Sequence, residues 1–99
     1  MAKIVQKKLG WDPSPDADIQ SYNVYWAIPP ATVDYDSSKL NVGKVTEVNL
    51  PLAGMPNIDG NLTIGVAAVD DVGNISDISK ATLPFDFQAP QPPGLPFLI

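Results

Sequence analysis

Apolar and polar residues alternate with a period of two in several short runs, which are separated by Pro, Gly, Asn and Asp. The clearest run covers residues 62–69, where the members of one face are Leu62, Ile64, Val66 and Ala68. A second run covers residues 19–28, where one face carries Tyr22, Val24, Trp26 and Ile28. Such alternation predicts half-buried β-strands, and no stretch has the apolar spacing of an amphipathic helix.

Weaker alternation predicts further strands near both ends and in the middle of the chain. Residues 5–11 place Val5, Leu9 and Trp11 on one face, and Val48 and Leu50 do the same in residues 45–50. Residues 78–87 form a last strand, which Pro84 makes partly an edge strand because proline cannot donate to a ladder. The polar stretch 31–43 predicts one short edge strand at most. Five or six short strands with these turn signals predict an all-β fold, an antiparallel β-sandwich.

Three stretches resemble a fibronectin type III domain of the bacterial style. Residues 9–26 (LGWDPSPDADIQSYNVYW) are similar to the family's second strand, proline turn and third strand, with Trp11 and Tyr22 at core positions. Residues 45–54 resemble the fifth strand, and residues 62–79 resemble the sixth strand, its loop and the start of the seventh. The resemblance implies an immunoglobulin-like sandwich of six to seven strands, with a domain at residues 1–88 and a Pro-rich tail at residues 89–99.

The chain departs from the family in three ways. Leu62 stands where the family has a tyrosine before its sixth strand, there is no Arg-Gly-Asp tripeptide, and only residues 1–4 are available for the first strand. The tail instead ends in a group of apolar residues, which are Leu95, Phe97, Leu98 and Ile99. Three interpretations stay open: a linker to a following domain, a strand donated to another copy, or a strand folded back on its own domain.

Charge limits the partners that this chain is expected to bind. Six lysines and no arginine face eleven acidic residues, giving a net charge of −5. Nucleic-acid binding depends on basic patches, so none is expected. No apolar run approaches the ~20 residues of a membrane span, and residues 1–10 lack the apolar segment of a signal peptide. The resemblance implies placement in a larger extracellular or cell-surface protein.

Candidate chemistry is sparse. The sequence has no cysteine and no histidine, which removes the usual nucleophile–base systems, so we expect no catalysis and no cofactor. Five aspartates lie in two loops that the resemblance places at one end of the sandwich: Asp12, Asp16, Asp18, Asp70 and Asp71. Carboxylates and loop carbonyls suit calcium, and these aspartates are its candidate ligands. Aspartate is also an ordinary turn residue, so both interpretations stay open.

Aromatic residues supply the remaining candidates for binding. Trp26 and Tyr25 are adjacent and must point to opposite faces of a strand. We expect Tyr25 on the outer face, where with Tyr35 it is a candidate contact for a glycan or a protein. The expected function is a non-catalytic spacer or protein-interaction module. The alternatives are an accessory module of a secreted carbohydrate-active enzyme and a homo-oligomer assembled by donation of the C-terminal tail.

Overall fold

Six β-strands form two antiparallel sheets in the computed structural model, which describes residues 7–56, 59–86 and 90–99. The strands are β1 (Lys7–Gly10), β2 (Ile19–Ala27), β3 (Ser38–Gly43), β4 (Glu47–Leu50), β5 (Asp59–Asp70) and β6 (Ser79–Asp86). The all-β prediction is confirmed, and every predicted run overlaps one of these strands. Within the described ranges there is no helix, and hence none long and apolar enough to cross a membrane.

The chain divides its strands between a four-stranded sheet and a two-stranded sheet. The larger sheet has the order β3-β2-β5-β6, and the smaller one pairs β1 with β4. All neighbours are antiparallel, with Ile19 opposite Asp70 and Asp59 opposite Asp86. β1, β3 and β5 therefore run toward one end of the sandwich, called the Asp70 end. β2, β4 and β6 run toward the other, called the Asp86 end.

The main core lies between the two sheets and contains the alternating side chains that the sequence predicts to share a face. Its buried members are Val24, Trp26, Leu50, Met55, Leu62, Ile64 and Phe85. Leu9 and Trp11 pack against this cluster from the smaller sheet, and Leu83 packs against it from β6. Tyr22 and Ala68, from the same predicted faces, form a separate buried cluster with Ile19. Ile28 is exposed, because β2 ends at Ala27, before two prolines.

A second, smaller core covers the opposite face of the larger sheet. Residues 31–37, here called the strap, cross this face and bury Val33 against Tyr25 and Ala67. Two lysines hold the strap: Lys80 Nζ donates to the carbonyl of Val33 at 3.1 Å, and Lys39 Nζ donates to that of Tyr35 at 2.9 Å. The larger sheet is thus covered on both faces at its centre.

The C-terminal tail is separate from both cores. Residues 90–99 form no strand, and all of them are exposed. The longest dimension of the molecule is 67 Å, whereas its longest strand, β5, has 12 residues and spans about 40 Å. The tail therefore extends beyond the sandwich. The expected first strand (residues 1–4), Phe87 and the expected boundary at residues 88–89 lie outside the described residues.

Candidate interaction sites

The acidic loops meet at the Asp70 end. The backbone N–H of Asp71 donates to the carbonyl of Asp18 at 3.1 Å, which joins the loop before β2 to the loop after β5. Carboxylate oxygens of Asp18, Asp70 and Asp71 lie within 4.8 Å of one another. Asp16 lines the same small cleft as Asp18 and Asp70, while Asp12 lines a different groove. The structure therefore brings three of the five predicted aspartates close together.

The carboxylate of Asp70 organises its own turn. Its Oδ1 accepts hydrogen bonds from the backbone N–H groups of Val72 at 3.0 Å and Asn74 at 2.8 Å, and its Oδ2 accepts one from Asn74 Nδ2 at 3.0 Å. The hydrogen bond from the Asn74 side chain, with help from these backbone donors, lowers the pKa of Asp70. These contacts are the turn chemistry that the sequence offered as the second interpretation. Calcium binding at this end stays a prediction.

The prediction that Tyr25 is an accessible aromatic residue is wrong. Tyr25 does point away from the main core, as its alternation with Trp26 requires, but its side chain is 0% exposed because the strap covers it. Its ring meets that of Tyr35 edge-on at 6.4 Å, and Lys39 Nζ lies 5.7 Å from its centroid. Tyr25 is a core residue of the second cluster and is closed to a ligand.

Tyr35 is the accessible member of this aromatic pair. Its side chain is 45% exposed, and its hydroxyl donates a hydrogen bond to the carbonyl of Ser76 at 2.9 Å. The ring therefore stands at the surface in a fixed orientation. One exposed ring offers a glycan or a protein a smaller contact area than the two rings, Tyr25 and Tyr35, that the sequence predicts.

A groove of about 310 Å³ opens beside Trp11, where β1 ends. Tyr22 lines it together with Val66 and Ala68 of β5, and so do Ser76, Asp77 and Ser79. The rings of Trp11 and Tyr22 meet edge-on at 5.6 Å, and the Tyr22 hydroxyl accepts the backbone N–H of Ser14 at 3.0 Å. Trp11 and Tyr22 thus lie in contact with the core, as the resemblance implies, and also line an open surface.

The indole N–H of Trp11 is a feature that the sequence does not reveal. Its Nε1 is buried and has no hydrogen-bond partner among the described residues. Buried donors in native proteins are nearly always paired, so an unpaired one calls for a specific explanation. The donor is unpaired because the indole nitrogen is buried, and no pattern in the sequence predicts how deeply the indole is buried.

The free edge of β1 is the second feature that sequence patterns leave out. The backbone N–H of Trp11 donates to the Thr46 carbonyl at 3.0 Å, which makes this pair hydrogen-bonded. Because the β1–β4 register is regular, hydrogen-bonded pairs recur every second residue. The N–H and C=O groups of Lys8 and Gly10 therefore point away from β4. No strand among the described residues pairs with that side.

The tail carries the most exposed apolar side chains of the described chain. Leu95 is 89% exposed and Phe97 is 84% exposed, and Leu98 and Ile99 have no cover at all. All four side chains are open to solvent. Their role as interaction contacts stays a prediction.

Comparison with known protein families, with curated proteins and with solved structures finds no match. Function is therefore inferred from this chain's own residues.

Proposed function

We propose that this chain is a fibronectin type III-like module that serves, without catalysis, as a spacer and protein-interaction domain. The observation that carries the proposal is the division of its strands. By the resemblance, β1 and β4 correspond to the second and fifth strands, and β2, β5 and β6 correspond to the third, sixth and seventh. In this structure β1 pairs with β4 in one sheet, and β2, β5 and β6 lie in the other. Immunoglobulin-like sandwiches divide the corresponding strands between their two sheets in the same way.

Packing at the resembling positions supports the same fold type. Trp11 packs against the main core and against a smaller buried cluster of Ile19, Tyr22 and Ala68. Leu62, which replaces the family's tyrosine, is fully buried in the main core, so this corner is held by apolar packing. Placement in a larger extracellular or cell-surface protein follows from the resemblance alone.

A non-catalytic role is supported by the residue inventory. The sequence offers neither histidine nor cysteine, and the clustered carboxylates at the Asp70 end are partly engaged by backbone donors of their own turn. A module of this kind acts through its shape: two sheets packed face to face resist deformation, and loops and edges are presented to neighbours. The strap contributes to that stiffness because it ties residues 31–37 to β6 through Lys80.

The accessory module of a carbohydrate-active enzyme is the weaker candidate. Binding of a polysaccharide surface needs several aromatic rings presented together, since each contributes contact area and few torsions. The exposed aromatic side chains among the described residues are Tyr35 and Phe97, on separate segments. A pull-down with insoluble polysaccharides therefore should retain no protein, and retention that Tyr35→Ala abolishes would restore this candidate.

Mechanical unfolding tests the spacer role. The chain is placed between reporter domains of known length and stretched. We expect residues 7–86 to unfold in one step that releases about 250 Å of chain, at roughly 3.4 Å per residue. The core variant Leu62→Ala should lower the unfolding force while leaving this length unchanged, because Leu62 is fully buried. Gradual extension without a step would contradict a spacer.

A further inference from the structure

We propose that a second copy of this chain binds through its C-terminal tail, which adds as a strand to the free edge of β1. The inference goes beyond the proposed module function and does not depend on the fold type. It rests on two surfaces that lack a partner among the described residues: a strand edge next to the groove beside Trp11, and an exposed apolar tail.

The edge is suited to accept a strand. Lys8 and Gly10 direct their backbone N–H and C=O groups away from β4, where no described strand meets them. Unpaired strand edges are templates for β-addition, in which main-chain hydrogen bonds give affinity and side-chain pockets give specificity. The groove beside Trp11 lies at the end of this edge and supplies such a pocket.

The unpaired indole N–H of Trp11 adds a specific reason for an occupant. This donor is buried and has no partner among the described residues, and its residue is one of those that line the groove. A strand that enters past Trp11 brings backbone carbonyl oxygens, which are acceptors for an indole N–H. Pairing would remove the desolvation penalty that a buried unsatisfied donor carries.

The tail matches this edge in length and pattern. Residues 95–99 span about 17 Å as a strand, which covers the four residues of β1 and Trp11. An antiparallel register that sets Phe97 opposite Leu9 also sets Leu95 opposite Trp11, so these side chains share the core-facing side. The same register sets Leu98 opposite Lys8, where both main-chain hydrogen bonds form, and Pro96 opposite Gly10, where the Pro96 carbonyl accepts from the Gly10 N–H but proline donates none in return.

Strand direction favours a different copy over the chain's own domain. β1 runs toward the Asp70 end, so an antiparallel partner must run toward the Asp86 end, as β6 does. A tail that turned back from β6 onto its own β1 would run parallel to it. A tail that continues in the direction of β6 meets the Asp70 end of a second copy stacked in the same orientation. Such a head-to-tail contact is heterologous and produces chains or rings.

The test uses paired point variants of the full chain. On the tail, Phe97→Asp places a charge on the core-facing side, while Leu98→Asp places the same charge on the opposite side. On the edge, Lys8→Pro removes a backbone donor that β4 does not use, and Lys8→Ala keeps it. The weight-average mass is measured by sedimentation equilibrium from tens to hundreds of micromolar.

We expect the mass of the parent chain to rise at least twofold above 10.6 kDa with concentration. Leu98→Asp and Lys8→Ala should retain this rise, and Phe97→Asp and Lys8→Pro should abolish it. Mixing the last two should restore a one-to-one dimer, because one supplies the tail and the other supplies the edge. A parent chain that stays monomeric overturns the proposal and leaves the tail as a linker. If Phe97→Asp and Leu98→Asp both abolish the rise in mass, the proposal is overturned and the association is an unspecific apolar contact.

A spectroscopic measurement covers the case in which Lys8→Pro does not fold. The indole N–H resonance of Trp11 should shift downfield as the concentration of the parent chain increases, since the donor gains an acceptor. Phe97→Asp should remove the shift and Leu98→Asp should keep it. An unchanged Trp11 resonance in a sample whose mass rises would place the contact elsewhere and contradict donation to β1.

Discussion

Gly65 lies directly beneath Val33, so close that a Cβ atom on Gly65 would stand 2.8 Å from Val33 Cγ1. The same Cβ atom would stand 2.5 Å from Cγ2 of Ile78. Both neighbours are β-branched side chains with little freedom to rotate away. The absent side chain of Gly65 is therefore what allows the strap to lie flat on the larger sheet.

Replacement of Gly65 by alanine should lower the free energy of unfolding by about 1–3 kcal/mol, the usual cost of overpacking. Gly10→Ala is the matched control in another strand, because its nearest contact would be an ordinary 3.7 Å from the Thr46 carbonyl. Urea unfolding of both variants measures the difference. Equal stabilities for the two variants would mean that the strap shifts freely and is not a packed element.

The two tyrosines of the outer face should differ sharply in their effect on stability. Tyr25→Ala leaves a cavity under the strap, and we expect a loss of about 3–5 kcal/mol. Tyr35→Ala removes a half-exposed ring and one hydrogen bond to Ser76, and we expect a loss of about 1 kcal/mol. Thermal unfolding of the two variants makes the comparison. Similar losses would contradict the burial of Tyr25.

Asp70 should contribute an acid-sensitive part of stability. Its folded-state pKa is lowered, chiefly by the Asn74 side chain, so its carboxylate favours the folded state. This stabilisation is complete above the unfolded-state pKa of about 3.9 and is lost as pH falls through the lower folded-state pKa. Asp70→Asn should therefore be less stable than the parent at neutral pH, and the difference should shrink in acid.

The control for this prediction is Asp71→Asn, which removes one negative charge from the same loop but no described hydrogen bond. Unfolding midpoints in urea are compared between pH 7 and pH 2.5. If the two variants follow the same pH profile, then general charge repulsion, and not the Asp70 turn, governs the acid response.

The ammonium group of Lys80 should hold the strap in place. Lys80→Met keeps most of the side chain but loses the hydrogen bond to the Val33 carbonyl, which we expect to cost about 1 kcal/mol. Amide hydrogen exchange in residues 31–37 should accelerate. Lys44→Met changes an exposed lysine outside the strap and should leave both quantities unchanged; accelerated exchange in both variants would argue against this anchor.

The strands could be predicted wherever one face of a strand is buried and the other is not. The first half of β5 shows this, since Leu62 and Ile64 lie in the main core and Thr63 between them is partly exposed, whereas farther along Ala67 on the other face is buried under the strap. The pattern predicts β4 for the same reason, through Val48 and Leu50. The period-two signal therefore succeeds because it reports a physical asymmetry between the two faces of a strand.

The strap and the burial of Tyr25 could not be predicted in the same way. Val33 is the large aliphatic residue of a polar loop, and its fixed place depends on a glycine that comes 32 positions later in the sequence. Sequence spacing carries no information about such a long-range fit. The free donor of Trp11 is hidden for a related reason, since its environment is set by the distance between two sheets.

β2 has neighbours on every side: β3 and β5 along its edges, the main core on one face and the strap on the other. Five consecutive residues, 22–26, are buried as a result. Most substitutions in this stretch are therefore expected to destabilise the fold. Variation is tolerated instead in the loops at the two ends, which makes those loops, and not the sheet faces, the places where new recognition can evolve or be engineered.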